Sequence, residues 1–243
     1  PKNGLPKTFV YRVHDSPDEE KLSTLRNFLK NLGYKLPRAN DGDSTNVIKE
    51  LMKRAEGQPE EHIIKTMAIR SMAKAEYTTK NIGHFGLAFD YYSHFTSPIR
   101  RYPDVMVHRL LQRYLDGGLS ADEKEFERKC RHSSLMEKRA AEAERASIKF
   151  KQVEYMMMRQ GQIFEGIVSG LASWGMYVEI VENKCEGLVA VNTIRDDFYE
   201  FDSEKYVLRG ARKKKEIHMG DKLMVKVVDG NLQLRTLDFE WVS

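Results

Sequence analysis

The 243 residues, 41% hydrophobic and 31% charged, suit a folded globular chain long enough to bury a core, and exclude a disordered one. No apolar run reaches the roughly 18 residues of a membrane span, and two cysteines, Cys130 and Cys185, exclude a disulfide framework and imply free thiols in a reducing cytoplasm. The net charge of +4 pulls only weakly toward polyanions, so local concentrations of charge say more.

In chain order, Pro1-Lys2-Asn3-Gly4 carries neither an initiator Met nor an apolar secretion signal and is read as a cut through a longer protein. Ser16-Pro17-Asp18-Glu19 has the form of a helix cap, a proline at the first helical position and acids in the first turn. Leu22, Leu25, Leu29 and Leu32 mark one face of that helix, and Gly33 closes it. A second helix is expected after Ser44, with Val47, Ile48, Leu51, Met52 and Ala55 inside. A third carries Ile63, Ile64, Met67 and Ala68 toward Tyr77. Residues 83–102 lose the helical rhythm and gather aromatics and histidines. A helix then follows Pro103, with Met106, Val107, Leu110, Leu111, Tyr114 and Leu115 on one face. Ser120 and Glu123 have capping-box spacing, as do Ser134 and Glu137. The second pair is expected to open a long helix with Met136, Ala140, Ala143, Ser147 and Phe150 inward.

Near Gly161 the pattern changes to alternation. Strands are expected at 163–168, 176–180, 187–191, 223–228 and 232–235, the last two joined by a hairpin at Asp229-Gly230. Five short strands with one long connection fit a Greek-key OB-type barrel. The fold class is therefore α+β: a mostly helical part, residues 1–160, followed by a five-stranded barrel, residues 161–240.

The stretch from His84 to Leu111 is the richest in chemistry. Ser97-Pro98 suits a helical turn whose free N–H groups attract anions, and Arg100 and Arg101 follow with forked donors matched to phosphate oxygens. Tyr91, Tyr92, Phe95 and Tyr102 offer faces for stacked bases. The alternative is an ion-paired helix start with Arg100 bound to a carboxylate. Six Lys/Arg and no acid lie between Lys205 and Lys215, suiting either a solvated loop or phosphate contact.

The run HFGLAFDYYSHFTSPIRRYPDVMVHRLL resembles the signature of the ribonuclease II/R (RNB) family of exoribonucleases. The segment Tyr11-Arg12-Val13-His14-Asp15, Arg70-Ser71-Met72 and Met136-Glu137-Lys138-Arg139-Ala140 extend the likeness over nearly the whole chain. The resemblance implies processive hydrolysis of single-stranded RNA from its 3′ end to nucleoside 5′-monophosphates, with Mg²⁺ held by clustered aspartates. It also implies that Arg100, after Thr-Ser-Pro-Ile, is the catalytic arginine on the scissile phosphate. Arg101, Tyr102, His108 and Arg109 are further candidates for RNA contact or for fixing Arg100. His84 is either a structural ring or a wall of the RNA channel. Glu144 lines that channel or pairs with Arg145.

The barrel resembles an S1 domain, whose RNA face carries two aromatics three apart on a strand, here Trp174 and Tyr177. Ala190 stands where such domains often have a histidine, and Phe164 is the candidate to compensate. Phe198, Tyr199 and Phe201 extend the platform or, as the favoured reading, pack the loop. Lys184 and the basic run, with Arg212, Lys213 and Lys214, would add phosphate attraction.

One departure from the family is large. No aspartate cluster occurs, since Asp41 and Asp43 flank a glycine and Asp196-Asp197 lie in the barrel, where capping and turn roles fit better. The Mg²⁺ ligands are expected upstream, so this chain is expected to bind RNA without cleaving it and to hold no metal alone. The alternative is a non-catalytic RNA-binding adaptor built from an RNB remnant and an S1 domain.

Overall fold

A computed structural model describes residues 7–36, 44–58 and 61–242. They divide into two compact units, one built on residues 7–22, 44–49 and 71–142, the other on residues 23–36, 50–58, 61–70 and 143–242. Asp41 and Asp43 lie outside the described residues.

In the first unit, strand β1 (Tyr11–Val13) pairs antiparallel with β2 (Glu76–Thr78). Both rest on a core of Val10, Tyr77, Met106, Val107, Leu110 and Cys130. Helices α4 (Tyr102–Leu115) and α5 (Glu123–Met157) supply the last four of these. Helix α4 opens one residue before the expected proline. Arg101 is extended (φ −124°, ψ 110°), and Pro103 sits in the first turn, where a missing N–H breaks no helical bond. Its buried stripe is narrower than expected. Leu111 and Leu115 lie about 100° further round than Leu110 and Tyr114, and they stay exposed.

Caps were displaced from their expected positions. Asp18, rather than Ser16, accepts from the backbone of Glu20 at the start of α1 (Glu19–Asn31). Asp122 accepts from Lys124 and Glu125, so α5 begins at Glu123 and not at Ser134. Ser134 instead donates to the Cys130 carbonyl and accepts the Tyr77 N–H at 2.9 Å, pinning β2 to the helix. Ala140, Ala143 and Ser147, expected inward, are exposed, as is Phe150; deep burial returns at Val153 and Met156.

In the second unit, α1 buries Leu25, Phe28 and Leu29 and ends at Gly33 (φ 81°), where Tyr34 donates back to the Leu29 carbonyl. Helix α2 (Ser44–Ala55) buries Leu51 and Ala55 here. Helix α3 (Glu61–Ser71) buries Ile63, Ile64 and Ala68 and stops short of Tyr77, which belongs to β2.

The alternating segment closes into a barrel. Strands β3 (Ile163–Ala172), β4 (Gly175–Ile180) and β5 (Glu186–Ala190) form a meander. The connection after β5 folds as a small sheet of β6 (Tyr199–Asp202), β7 (Val207–Gly210) and β8 (Glu216–Ile217). Then β9 (Lys222–Asn231) and β10 (Thr236–Val242) complete the cycle β10-β5-β4-β3-β9. Val168, Met176, Val178, Ile180, Val189, Val225 and Phe239 fill the interior. The expected hairpin at Asp229-Gly230 is wrong: both residues lie within β9, and the turn falls at 232–235. Gly230 serves packing, because a Cβ there would meet Met157 Cγ at 2.7 Å.

Cys130 and Cys185 are both free and buried. Burial, reinforced by Glu127, pushes the Cys130 thiol up to about 12, and burial raises that of Cys185 as well.

Candidate nucleic-acid interface

Residues 97–101 form a single tight turn, with the amides of Arg100 and Arg101 donating to the Ser97 carbonyl. Asp104, wholly buried, holds that turn at both ends. It accepts the Ser97 N–H at 2.7 Å and Arg101 Nη2 at 2.9 Å. Burial works hardest on Asp104 and favours its neutral form. The hydrogen bonds from Arg101 and Ser97 and the Arg101 charge together outweigh it and hold the carboxyl below the usual aspartate range.

The arginine between these fastenings is left out of them. Arg100 is exposed, and its guanidinium makes no hydrogen bond or ion pair among the described residues. The carboxylate pairing weighed for Arg100 belongs to Arg101 instead. Ile99 is fully exposed and Tyr102 half-exposed on either side of the arginine pair. His108, one turn into α4, donates from Nε2 to the Phe95 carbonyl at 2.7 Å and stacks on the Phe95 ring at 4.0 Å. Arg109 is exposed on the same helix.

Behind the turn lies a histidine cluster. His84 packs against the rings of His14 and Tyr92, and burial first, then His14, lowers its pKa. His94 shares a hydrogen bond with the Tyr77 hydroxyl; burial, then the charges of Arg101 and Arg12, lower its pKa. His14 was not singled out from the sequence, yet it joins three segments. Its Nε2 lies 2.8 Å from the Ala73 carbonyl and its Nδ1 2.9 Å from the Gly86 amide. A carbonyl only accepts and an amide N–H only donates, so the proton sits on Nε2. Arg12 reaches Glu137 at 2.6 Å and lies over the Tyr77 ring.

On the barrel, Trp174 stands in the β3–β4 turn rather than on a strand, 59% exposed, and its indole N–H donates to the Tyr177 hydroxyl at 3.1 Å. Gly175 permits this turn, since a Cβ there would lie 2.3 Å from the Val189 carbonyl oxygen. Tyr177 faces outward between buried Met176 and Val178, and its cross-strand partners are Gly170 and Leu188. Phe164 does not join them. It has the inward parity of Gly166 and Val168 and lies six residues from Gly170, about 20 Å along the strand. Lys184 is at the opposite end of β4 from Trp174, paired with Glu179 at 3.2 Å. Glu144 is exposed on α5.

Arg212, Lys213 and Lys214 lie on the β7–β8 turn, which Asp197 organises by accepting the backbone N–H groups of Phe198, Arg212 and Lys213. Burial opposes the charge on Asp197, but those bonds prevail and lower its pKa. Tyr199 is buried, whereas Phe198, expected to pack, is 68% exposed beneath the Arg212 guanidinium. Lys214 is exposed without a partner among the described residues.

Among the described residues no group of three or more His, Cys, Asp or Glu side chains is placed to hold a metal ion. Asp197 is spent on backbone amides, and Asp196 accepts from the Tyr199 hydroxyl. The described carboxylates therefore do not fit a Mg²⁺ site. Nor, among these residues, is any helix long and apolar enough to cross a membrane.

The RNB domain family matches residues 3–117, and the S1 RNA-binding domain family matches residues 158–240. Ribonuclease R of Aquifex aeolicus is 41% identical over 237 residues, covering 96% of this chain and 34% of its own length. Mycoplasma genitalium RNase R, in its apo form and in complex with ribose-methylated single-stranded RNA, superposes with a TM-score of 0.82 at 27% identity. That likeness covers 97% of this chain and 38% of the other. Yeast Ssd1, described as a pseudonuclease, shares the fold at a TM-score of 0.66 and 22% identity, over 83% of this chain and 26% of its own. The chain spans about a third of the length of the curated relatives it matches.

Proposed function

This chain belongs to the RNB family of ribonuclease R-type proteins and carries an S1 RNA-binding domain, and from that premise we propose that it is the arginine-bearing, RNA-gripping part of a processive 3′-to-5′ exoribonuclease. The substrate is single-stranded RNA and the products are nucleoside 5′-monophosphates. One observation carries the reading: Arg100 is exposed and unpaired on a turn that buried Asp104 fastens at both ends.

In this role the Arg100 guanidinium forks onto the non-bridging oxygens of the scissile phosphate and stabilises charge that grows there in the transition state. Arg101 holds the turn, and Tyr102, His108 and Arg109 contact the strand beside it. Trp174 and Tyr177 stack bases, and the basic turn attracts phosphates without regard to sequence. The division into an RNB part, residues 1–160, and an S1 part, residues 161–240, is supported by the two matched spans. Two free thiols support a cytoplasmic location.

A magnesium ion would activate the attacking water and neutralise phosphate charge. The described residues do not fit one, and we assign its ligands to the two thirds of the relatives' length that this chain does not span. The isolated chain then binds RNA and leaves it intact. Mg²⁺-dependent release of monophosphates by the purified 243-residue chain refutes that inactivity. Arg100→Ala in the longer protein tests the role itself, with undiminished digestion of labelled single strands as the contrary result.

A second reading is a non-catalytic RNA-binding adaptor. It is favoured by the lack of a carboxylate cluster among the described residues and by a fold shared with a protein described as a pseudonuclease. The same digestion assay on the longer protein, with Mg²⁺, separates the two.

A further inference from the structure

The basic turn between β7 and β8 is tied to a different part of the barrel from Trp174 and Tyr177. Lys215 Nζ lies 4.2 Å from the centre of the Trp241 ring, and Lys213 Nζ lies 3.9 Å from the Asp196 carboxylate. Trp241 and Asp196 both line an open cleft of about 410 Å³. A cross-strand row on the outer surface lines it too. Ile163 of β3 stands opposite Lys226 of β9, and Lys226 opposite Glu240 of β10. Arg195 is among the lining residues as well, its side chain 88% exposed and 3.7 Å from Glu240.

The volume falls within the range of small-ligand sites and admits one nucleotide. Arg195, Lys215 and Lys226 bring cations to it or to its edge. The Arg195–Glu240 pair is exposed and weak, so an incoming phosphate can take its place. Asp196 Oδ1 is buried with no hydrogen-bond partner among the described residues. Trp241 supplies a flat ring beside these groups.

We infer that this cleft is a second single-strand RNA subsite on the barrel, with a base against Trp241 and its phosphate between Lys226 and Arg195. It lies further along β10 from Asp238, whose partner Leu188 neighbours Tyr177. The inference rests on the RNA-binding reading above and adds a site to it.

The chain has two tryptophans, so Trp174→Phe leaves Trp241 as the sole indole emitter. The 243-residue chain carrying that change is titrated with an oligouridylate of about 10 nucleotides, long enough for both sites, while anisotropy of labelled RNA follows binding. Saturable quenching of Trp241 is expected. Lys226→Gln with Arg195→Gln, both changes on the barrel's outer surface, should weaken binding about tenfold and reduce the log–log salt slope by about 0.7, the share of the one phosphate they hold. Trp241 emission that stays constant while anisotropy reports saturable binding overturns the subsite and leaves the RNA-binding reading standing. Absence of any anisotropy change with the unsubstituted chain overturns both.

Discussion

A guanidinium that is to grip a substrate phosphate must first be kept from gripping a protein carboxylate. Arg100 and Arg101 are adjacent and chemically identical, and Asp104 takes only the second. The first should therefore matter to chemistry and not to folding. Arg100→Ala in the longer protein is expected to cut turnover of single-stranded RNA by about 10²–10³-fold, with the melting temperature of the chain unchanged by calorimetry. Asp104→Ala reverses the pattern. It strands the Arg101 charge and the Ser97 amide, and should cost about 2–3 kcal/mol in urea unfolding. Because the folded state holds the Asp104 carboxyl below its ordinary value of 3.8, its contribution is complete above that value and fades as the pH drops toward the folded-state value. An acid-unfolding midpoint that Asp104→Asn leaves unmoved would sink this. That two arginines follow Ser97-Pro98 on one turn was legible in the sequence. Which of the two stays free was not, because a backbone turn decides which side chain faces a carboxylate three residues on. His14 was missed for a similar reason: its partners, Ala73 and Gly86, are distant in sequence.

Among elements, the β3–β4 hairpin depends on the one residue without a side chain that follows Trp174. Gly175→Ala would drive a methyl group into the Val189 carbonyl oxygen and is expected to lower the thermal midpoint of the barrel and displace Trp174 together. A melt equal to wild type would show that the backbone yields there. Trp174→Ala combined with Tyr177→Ala removes both rings and the hydrogen bond between them. It should reduce single-strand affinity by about 10–100-fold with an unchanged circular-dichroism melt, measured by fluorescence titration of labelled RNA. Alternation made the barrel strands readable. The final hairpin was misplaced because Asp-Gly is equally a turn signal and a way to let a helix approach, and Met157 at Gly230 shows the second use. Nothing in local pattern distinguished the capping Asp122 from the serine at 134, since a cap is defined by which amides lie within reach.

For the whole chain, electrostatics set a further expectation. Binding carried by Lys and Arg weakens with salt, by about 0.7 log units of affinity per log unit of salt for each phosphate contacted on a single strand. RNA affinity of the 243-residue chain should fall steeply between low and moderate salt, with no monophosphate released with or without Mg²⁺. A flat salt dependence would remove the basic turn from the interface. Each compact unit also encloses one buried thiol, Cys130 in the first and Cys185 in the second. A thiolate is the form that reacts, and burial suppresses it at both positions. Alkylation under native conditions must then wait for a local opening, so mass spectrometry of the two labelled peptides would time the breathing of each half independently. The chain thus comes supplied with a pair of internal clocks, able to reveal which half RNA steadies first.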